Sequence, residues 1–255
     1  MFEHLLLSRP CDGVFQITLN RPRQLNALAK KTIEELHTAL ADFEASPDCI
    51  LLLTGAGRAF CFGADFQEFQ DRASLPILLQ MFQDLILKLY YCSKVTIAAI
   101  NGFATGAGLY LALACDFRLA AEKTKLGEAY ISMGLVPDGG GSLLLTRLVG
   151  PGRALEMFLS GEPVATEEAL SLGMLHRIFP AQELQAKSLE FAANLVAKPQ
   201  TALRLTKKLV KENLSLDLQA AMENEKQAQL VCFEDPIHQS IVDEFLEKRR
   251  KDRKM

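Results

Sequence analysis

The sequence predicts an α/β fold around a mostly parallel sheet, followed by a helical C-terminal part. Three observations carry this. Short apolar runs at Ile50–Leu53 and Val95–Ile100 alternate with helix-period segments at Lys30–Ala45 and Ser74–Tyr91, the order of βα crossover units. Glycine-rich turns follow both apolar runs, at Thr54-Gly55-Ala56-Gly57 and from Gly102 to Gly108. After Gly150 the pattern becomes almost wholly helical.

Taken in order, Glu3–Arg9 and Val14–Leu19 read as strands around the Cys11-Asp12-Gly13 turn. In the second, Gln16 and Thr18 interleave with Val14, Ile17 and Leu19, a half-buried strand pattern. Arg21-Pro22-Arg23 is a breaker. Ile33, Leu36, Leu40 and Phe43 give Lys30–Ala45 its helical period, and Ser46-Pro47 ends it. Arg58–Asp71 reads as a loop. Beyond Gly150, Pro151–Leu159, Thr166–Leu172, Ala181–Ala197, Pro199–Glu212, Leu216–Val231 and Pro236–Arg249 read as helices, and only His176–Phe179 as a strand. The change of pattern places a break near Gly161-Glu162-Pro163. As domains, residues 1–195 form the α/β core and 196–255 the helical region. No internal sequence repeat or low-complexity segment is present.

Composition narrows the function. Of 255 residues, 49% are hydrophobic and 23% charged, and the net charge is −3. That is ordinary for a soluble globular chain and argues against nucleic-acid binding. No apolar run reaches the ~18–20 residues of a membrane span. Met1–His4 lacks a signal-peptide pattern, and Arg253-Lys254-Met255 is not a peroxisomal address. Six cysteines without a Cys-x-x-Cys pair read as reduced thiols of a cytoplasmic protein. Four scattered histidines lack zinc-ligand spacing, so no metal is expected. The basic tail Lys248–Lys254 reads either as a solvated end or as a phosphate-facing cluster.

Asn101–Asp116 is the most informative stretch. A strand that breaks at glycines and restarts as a helix leaves unpaired N–H groups at the helix N-terminus, suited to an anion or a developing oxyanion. The dinucleotide fingerprint fails at both candidate turns, since Phe60 and Leu111 stand where its third glycine or alanine belongs. Neither a P-loop nor a Gly-x-Ser-x-Gly elbow is present.

In combination, several motifs resemble the enoyl-CoA hydratase/isomerase (crotonase) family from about Phe2 to Arg250. They are Leu19-Asn20-Arg21-Pro22 with Leu25-Asn26-Ala27-Leu28, Phe60-Cys61-Phe62-Gly63-Ala64-Asp65, Ala99-Ile100-Asn101-Gly102 with Gly106-Ala107-Gly108, Asp116, and Gly134-Leu135-Val136-Pro137-Asp138-Gly139-Gly140. The resemblance implies a crotonase-type ββα superhelix with a helical C-terminal trimerisation region, a homotrimer or dimer of trimers. It implies an acyl-CoA thioester as substrate, with coenzyme A bound only as part of it. The backbone N–H groups of Ala64 and Ala107 would form the oxyanion hole, with Gly63 and Asp65 in the first turn. Arg23 and Leu25 would meet the nucleotide end, with Lys248 or Arg249 contributed by a neighbouring subunit. Phe66, Phe69, Met81 and Phe82 would shape the acyl pocket or pack the core.

The same resemblance bears on the reaction. The two glutamates of the hydratase pattern correspond here to Tyr110 and Tyr130. Tyrosine, with an ordinary pKa near 10, is a poor base at neutral pH, but it can donate a hydrogen bond or pack an apolar cavity. Asp138 corresponds to an acidic residue of family isomerases. It reads as a single-carboxylate proton shuttle, or as the N-cap of a helix starting at Gly139. Glu128 is a second-rank candidate acid, or a surface or salt-bridged carboxylate. Asp65 is expected to fix the oxyanion turn and Asp116, at the end of a helix, to cap it or pair structurally. An enoyl-CoA isomerase is therefore expected. The alternatives are a hydratase or other lyase using Glu128, Asp138 or the tyrosines, and an acyl-CoA-binding protein without turnover.

Overall fold

A pattern of strand, short strand and helix recurs three times along the chain. A computed structural model describes residues 2–252, the side chains of Phe69 and Asp252 excepted. Strands β1 (Leu5–Ser8) and β2 (Val14–Leu19) lead into α1 (Lys30–Ala45). The first repeat is β3 (Ile50–Gly55), β4 (Ala59–Cys61) and α2 (Leu75–Tyr90). The second is β5 (Val95–Ile100), β6 (Phe103–Thr105) and α3 (Ala107–Ala114). The third is β7 (Phe117–Ala121), β8 (Lys125–Gly127) and α4 (Gly141–Ser160). Then follow β9 (Val164–Ala165), α5 (Thr166–Ser171), β10 (Arg177–Phe179), α6 (Leu184–Val196), α7 (Gln200–Asn213), α8 (Leu218–Glu234) and α9 (Pro236–Asp252). This ββα repeat is invisible in the sequence because it repeats a topology, not residues.

The longer strand of each repeat enters a six-stranded sheet in the order β1-β2-β3-β5-β7-β10, parallel except for the β1–β2 pair. Every residue of β5 is buried, as expected for a parallel strand covered on both faces. Helix α1 packs against β1 and α2 and buries Ile33, Leu36, Leu40 and Phe43, at three- and four-residue spacing. Phe43 also meets the Phe15 ring at 5.6 Å. The Lys94 ammonium donates to the Phe43 and Ser46 carbonyls at 2.9 and 2.7 Å, setting a cation at the negative end of α1.

The shorter strands make a second sheet in the order β4-β6-β8-β9. Hydrogen bonding places the ends of β4, β6 and β8 side by side. The segments that leave them begin at Phe62, Gly106 and Glu128, and these carry the candidate site.

Contacts divide the chain into Met1–Leu195 and Val196–Met255. The break expected at Gly161–Pro163 falls inside the first unit, because β9 pairs with β8 just beyond it. The short β9 is also a strand that the sequence did not signal. The expected loop Arg58–Asp71 contains β4 and a 3-10 turn at Phe66–Gln70. The helix expected at Pro151–Leu159 is the second half of α4, which bends at Gly150. In the second unit, α7, α8 and α9 pack in sequence. Tail residues 253–255 lie outside the described residues. No helix among those described is long and apolar enough to cross a membrane, and none of the six cysteines is in a disulfide.

Candidate active site

Two backbone donors face each other across the ends of β4 and β6. Leu28 uses both its groups on the segment after β4: its N–H donates to the Gly63 carbonyl at 2.8 Å, and its carbonyl accepts from Asp65 N–H at 3.0 Å. Backbone groups alternate sides along an extended chain, so the N–H of Ala64 points away from Leu28. On that other side lies the β6–α3 turn. A Cβ placed on Gly63 would lie 3.1 Å from the Thr105 carbonyl oxygen and 3.8 Å from Ala107 N. Gly106 makes this turn at φ 51°, ψ −125°, a conformation that residues with a side chain rarely adopt. Ala107 is therefore the first residue of α3, and its N–H has no helical acceptor. Among the described residues, neither the Ala64 nor the Ala107 N–H has a hydrogen-bond partner.

The Ala64 turn is braced from the other side. Asp65 accepts from Gln67 N–H at 3.1 Å and from Arg21 Nη1 at 2.8 Å. Arg21 Nη1 also donates to the Ala27 carbonyl at 2.7 Å. Asn26, at φ 57°, accepts from Arg21 N–H at 2.9 Å and donates through Nδ2 to the Ala56 and Ala59 carbonyls. Leu25, at φ 51°, accepts through its carbonyl from Phe62 N–H. Arg23 is exposed on the adjoining 3-10 turn Pro22–Gln24. Lys248 and Arg249 belong to the second unit, exposed on α9.

Beside the donors stand two tyrosine–carboxyl pairs. Tyr110 Oη donates to Glu128 Oε2 at 2.7 Å, and Tyr130 Oη donates to Asp138 Oδ1 at 2.8 Å. The tyrosine rings stack, with centroids 5.5 Å apart and planes within 10°. Tyr130 also covers Gly106, whose absent Cβ would lie 3.4 Å from the ring. The Tyr130–Asp138 pair therefore adjoins the turn that presents the Ala107 N–H.

Three expectations need correction. Asp138 does not cap a helix: α4 starts at Gly141 with Gly140 as its cap residue, because Gly140 takes φ 77°. Glu128 is not a surface carboxylate. It is 1% exposed, and among the described residues no cation pairs with it. The tyrosines do not merely fill an apolar cavity, since both hydroxyls are spent on carboxyls.

Burial sets the charge states. Desolvation raises the Glu128 carboxyl to about 8, with Asp138 adding to the rise and the Tyr110 bond opposing it. Desolvation raises Asp138 too, and the Tyr130 bond and nearby backbone N–H groups pull it back. Desolvation, then the neighbouring carboxyl, pushes both tyrosines far above their ordinary range. The tyrosines are therefore donors and not bases.

Sequence reasoning missed how this group is seated. A Cβ on Gly141 would overlap the Tyr110 ring, and one on Gly139 would overlap Phe82 and Tyr110. Gln83 Nε2 of α2 donates to the Asp138 carbonyl at 2.9 Å. The glycine run after Asp138 was the available signal; it reads as a turn until Tyr110 is seen lying in it. Asp116 pairs as expected, accepting from Thr96 N–H at 2.8 Å. Of the acyl-pocket candidates, Phe82 is buried, Met81 is half-buried and Phe66 is exposed; the Phe69 side chain lies outside those described.

Comparison with known proteins agrees with this architecture. The family model for enoyl-CoA hydratase/isomerase matches residues 10–254. The chain belongs to that family. Crotonyl-CoA hydratase of Syntrophomonas wolfei is 32% identical over 98% of this chain and 97% of its own. Mitochondrial enoyl-CoA hydratase of Pongo abelii is 32% identical over 98% of this chain and 87% of its own. The crystal structure of enoyl-CoA hydratase from Bacillus anthracis superposes with a TM-score of 0.93 at 32% identity, covering 96% and 97% of the two chains. The fold is thus the crotonase fold, and this family member is an acyl-CoA-processing enzyme.

Proposed function

We propose that this family member is an enoyl-CoA isomerase in which Asp138 moves the proton. The observation that carries the reading is the Tyr130–Asp138 hydrogen bond beside the Ala107 N–H. The Asp138 carboxylate takes a proton from the carbon next to the thioester carbonyl. The C–H electron pair becomes part of a dienolate, and the negative charge moves to the thioester oxygen between the Ala64 and Ala107 donors. Asp138 then returns the same proton two carbons further along the chain. The double bond has shifted, and the carboxylate is regenerated. In enzymes of known kinetics, losing one oxyanion donor costs about 2.7–4 kcal/mol of barrier. Here the N-terminal end of α3 adds to that stabilisation.

Asp138→Asn tests this directly. Isomerisation of a 3-enoyl-CoA should fall by about 10²–10⁴-fold, the usual worth of a general base. The Kd for a CoA ester should change little. Unchanged turnover would falsify the assignment.

A hydratase is the second reading. The relatives' names favour it, as does the presence of two carboxyls, Glu128 and Asp138, at the two ends of the tyrosine stack. Mixing the enzyme with crotonyl-CoA and following the enoyl absorbance separates the two. Rapid loss of absorbance favours hydration; a persistent signal favours isomerisation.

A further inference from the structure

Glu128 is a buried acid that the proton shuttle does not use. It directly follows β8, with Oε2 on the Tyr110 hydroxyl and Oε1 without a partner among the described residues. The titratable groups facing it are Tyr110 from α3 and Asp138 from the segment before α4, with Tyr130 and, beyond it, Cys61 of β4. None of these carries positive charge. Because Tyr110 is wedged against Gly139 and Gly141 and stacked on Tyr130, the four side chains form one continuous packed chain. Glu128 is buried and Asp138 half-buried, at the two ends of the same tyrosine stack, and the proposed isomerisation moves a single negative charge from Asp138 to the thioester oxygen. A second anion there would oppose the dienolate at every stage.

We propose that Glu128 is a positioning residue: it holds a proton, with Oε1 as the protonated oxygen, so that the site carries one negative charge and Asp138 alone acts as base. This rests on the reading of Asp138 given above. The two carboxyls then divide the acid–base states between them, as neighbouring groups in unlike environments do. The burial of Glu128, which brings its carboxyl to about 8, places its ionisation within reach of a pH profile.

Four measurements test it. In the wild type, kcat for isomerisation should fall above about pH 8, approaching tenfold per pH unit. In Glu128→Gln, permanently neutral and still able to accept from Tyr110, this alkaline limb should vanish. Tyr110→Phe removes a donor that favours the ionised carboxyl, so its limb should move to higher pH. A merely structural role predicts no such direction. A limb unchanged in Glu128→Gln overturns the proposal. Infrared spectroscopy of the resting enzyme supplies a readout without turnover. The protonated-carboxyl band at neutral pH should be present in the wild type and in Asp138→Asn, and absent in Glu128→Gln. A wild type lacking that band overturns the proposal even if Asp138 proves to be the base. A band that is present, with Asp138→Asn still active, overturns the isomerase reading and leaves the protonation of Glu128 standing.

Discussion

Tyr110 and Gly141 are fitted to each other. A tyrosine in α3 needs room that a shorter side chain would not, and the glycine at the start of α4 provides it. Adding a methyl group there forces the ring to move, and the ring carries the hydrogen bond to Glu128 and the stack with Tyr130. Overpacking of this kind costs about 1–3 kcal/mol. Gly141→Ala should therefore lower stability by that amount in denaturant unfolding. Combined with Tyr110→Ala, which empties the space, it should cost clearly less than the sum of the two single changes. Additive losses would show that ring and glycine are not coupled.

At the scale of elements, the site is made by three strand ends held in register, and the loop before α1 clamps the first of them. Asn26 is the centre of that clamp. Asn26→Asp keeps the acceptor for Arg21 N–H but turns a carboxylate toward the Ala56 and Ala59 carbonyls. Losing both bonds, with Ala59 keeping only its 3.3 Å bond from Asn101 Nδ2, should cost about 1–3 kcal/mol and loosen the turn that carries Ala64, so kcat should fall along with stability. Full activity in a destabilised variant would separate the clamp from the hole. Much of this was legible in sequence. The periodic helices α1 and α2 and the apolar strands β3 and β5 stood out because burial imposes their spacing. The turns that carry Ala64 and Ala107 stood out because glycines mark where backbone must bend. The strands β4, β6, β8 and β9 did not, since two or three residues are too few to show alternation, and only their pairing makes them strands. Glu128 was misjudged for a related reason. A lone glutamate reads as exposed, and its tyrosine partner lies eighteen positions away on a different element.

For the molecule as a whole, the buried acid makes stability depend on pH in a direction opposite to that of an ion-paired carboxylate. Glu128 titrates near its ordinary 4.5 when unfolded and at about 8 when folded. Between those values the folded state binds a proton that the unfolded state does not, so stability falls as pH rises. This contribution is fully present below about 4.5 and lost above about 8. His176 acts the other way: burial, then the Arg118 charge, lowers it from 6.5 to about 4. Its stabilising effect is therefore lost as pH falls through that interval. Much of His176 is exposed, so solvent screening weakens its share. Between about 6.5 and 8 His176 is neutral in both states, and Glu128 dominates. Over that interval wild-type stability should fall by on the order of 2 kcal/mol, at about 1.36 kcal/mol per pH unit. Urea unfolding at a series of pH values measures it. Glu128→Gln has no such proton to lose, so its unfolding midpoint should hold level across the same interval. A parallel decline in wild type and variant would place the lost proton on another group.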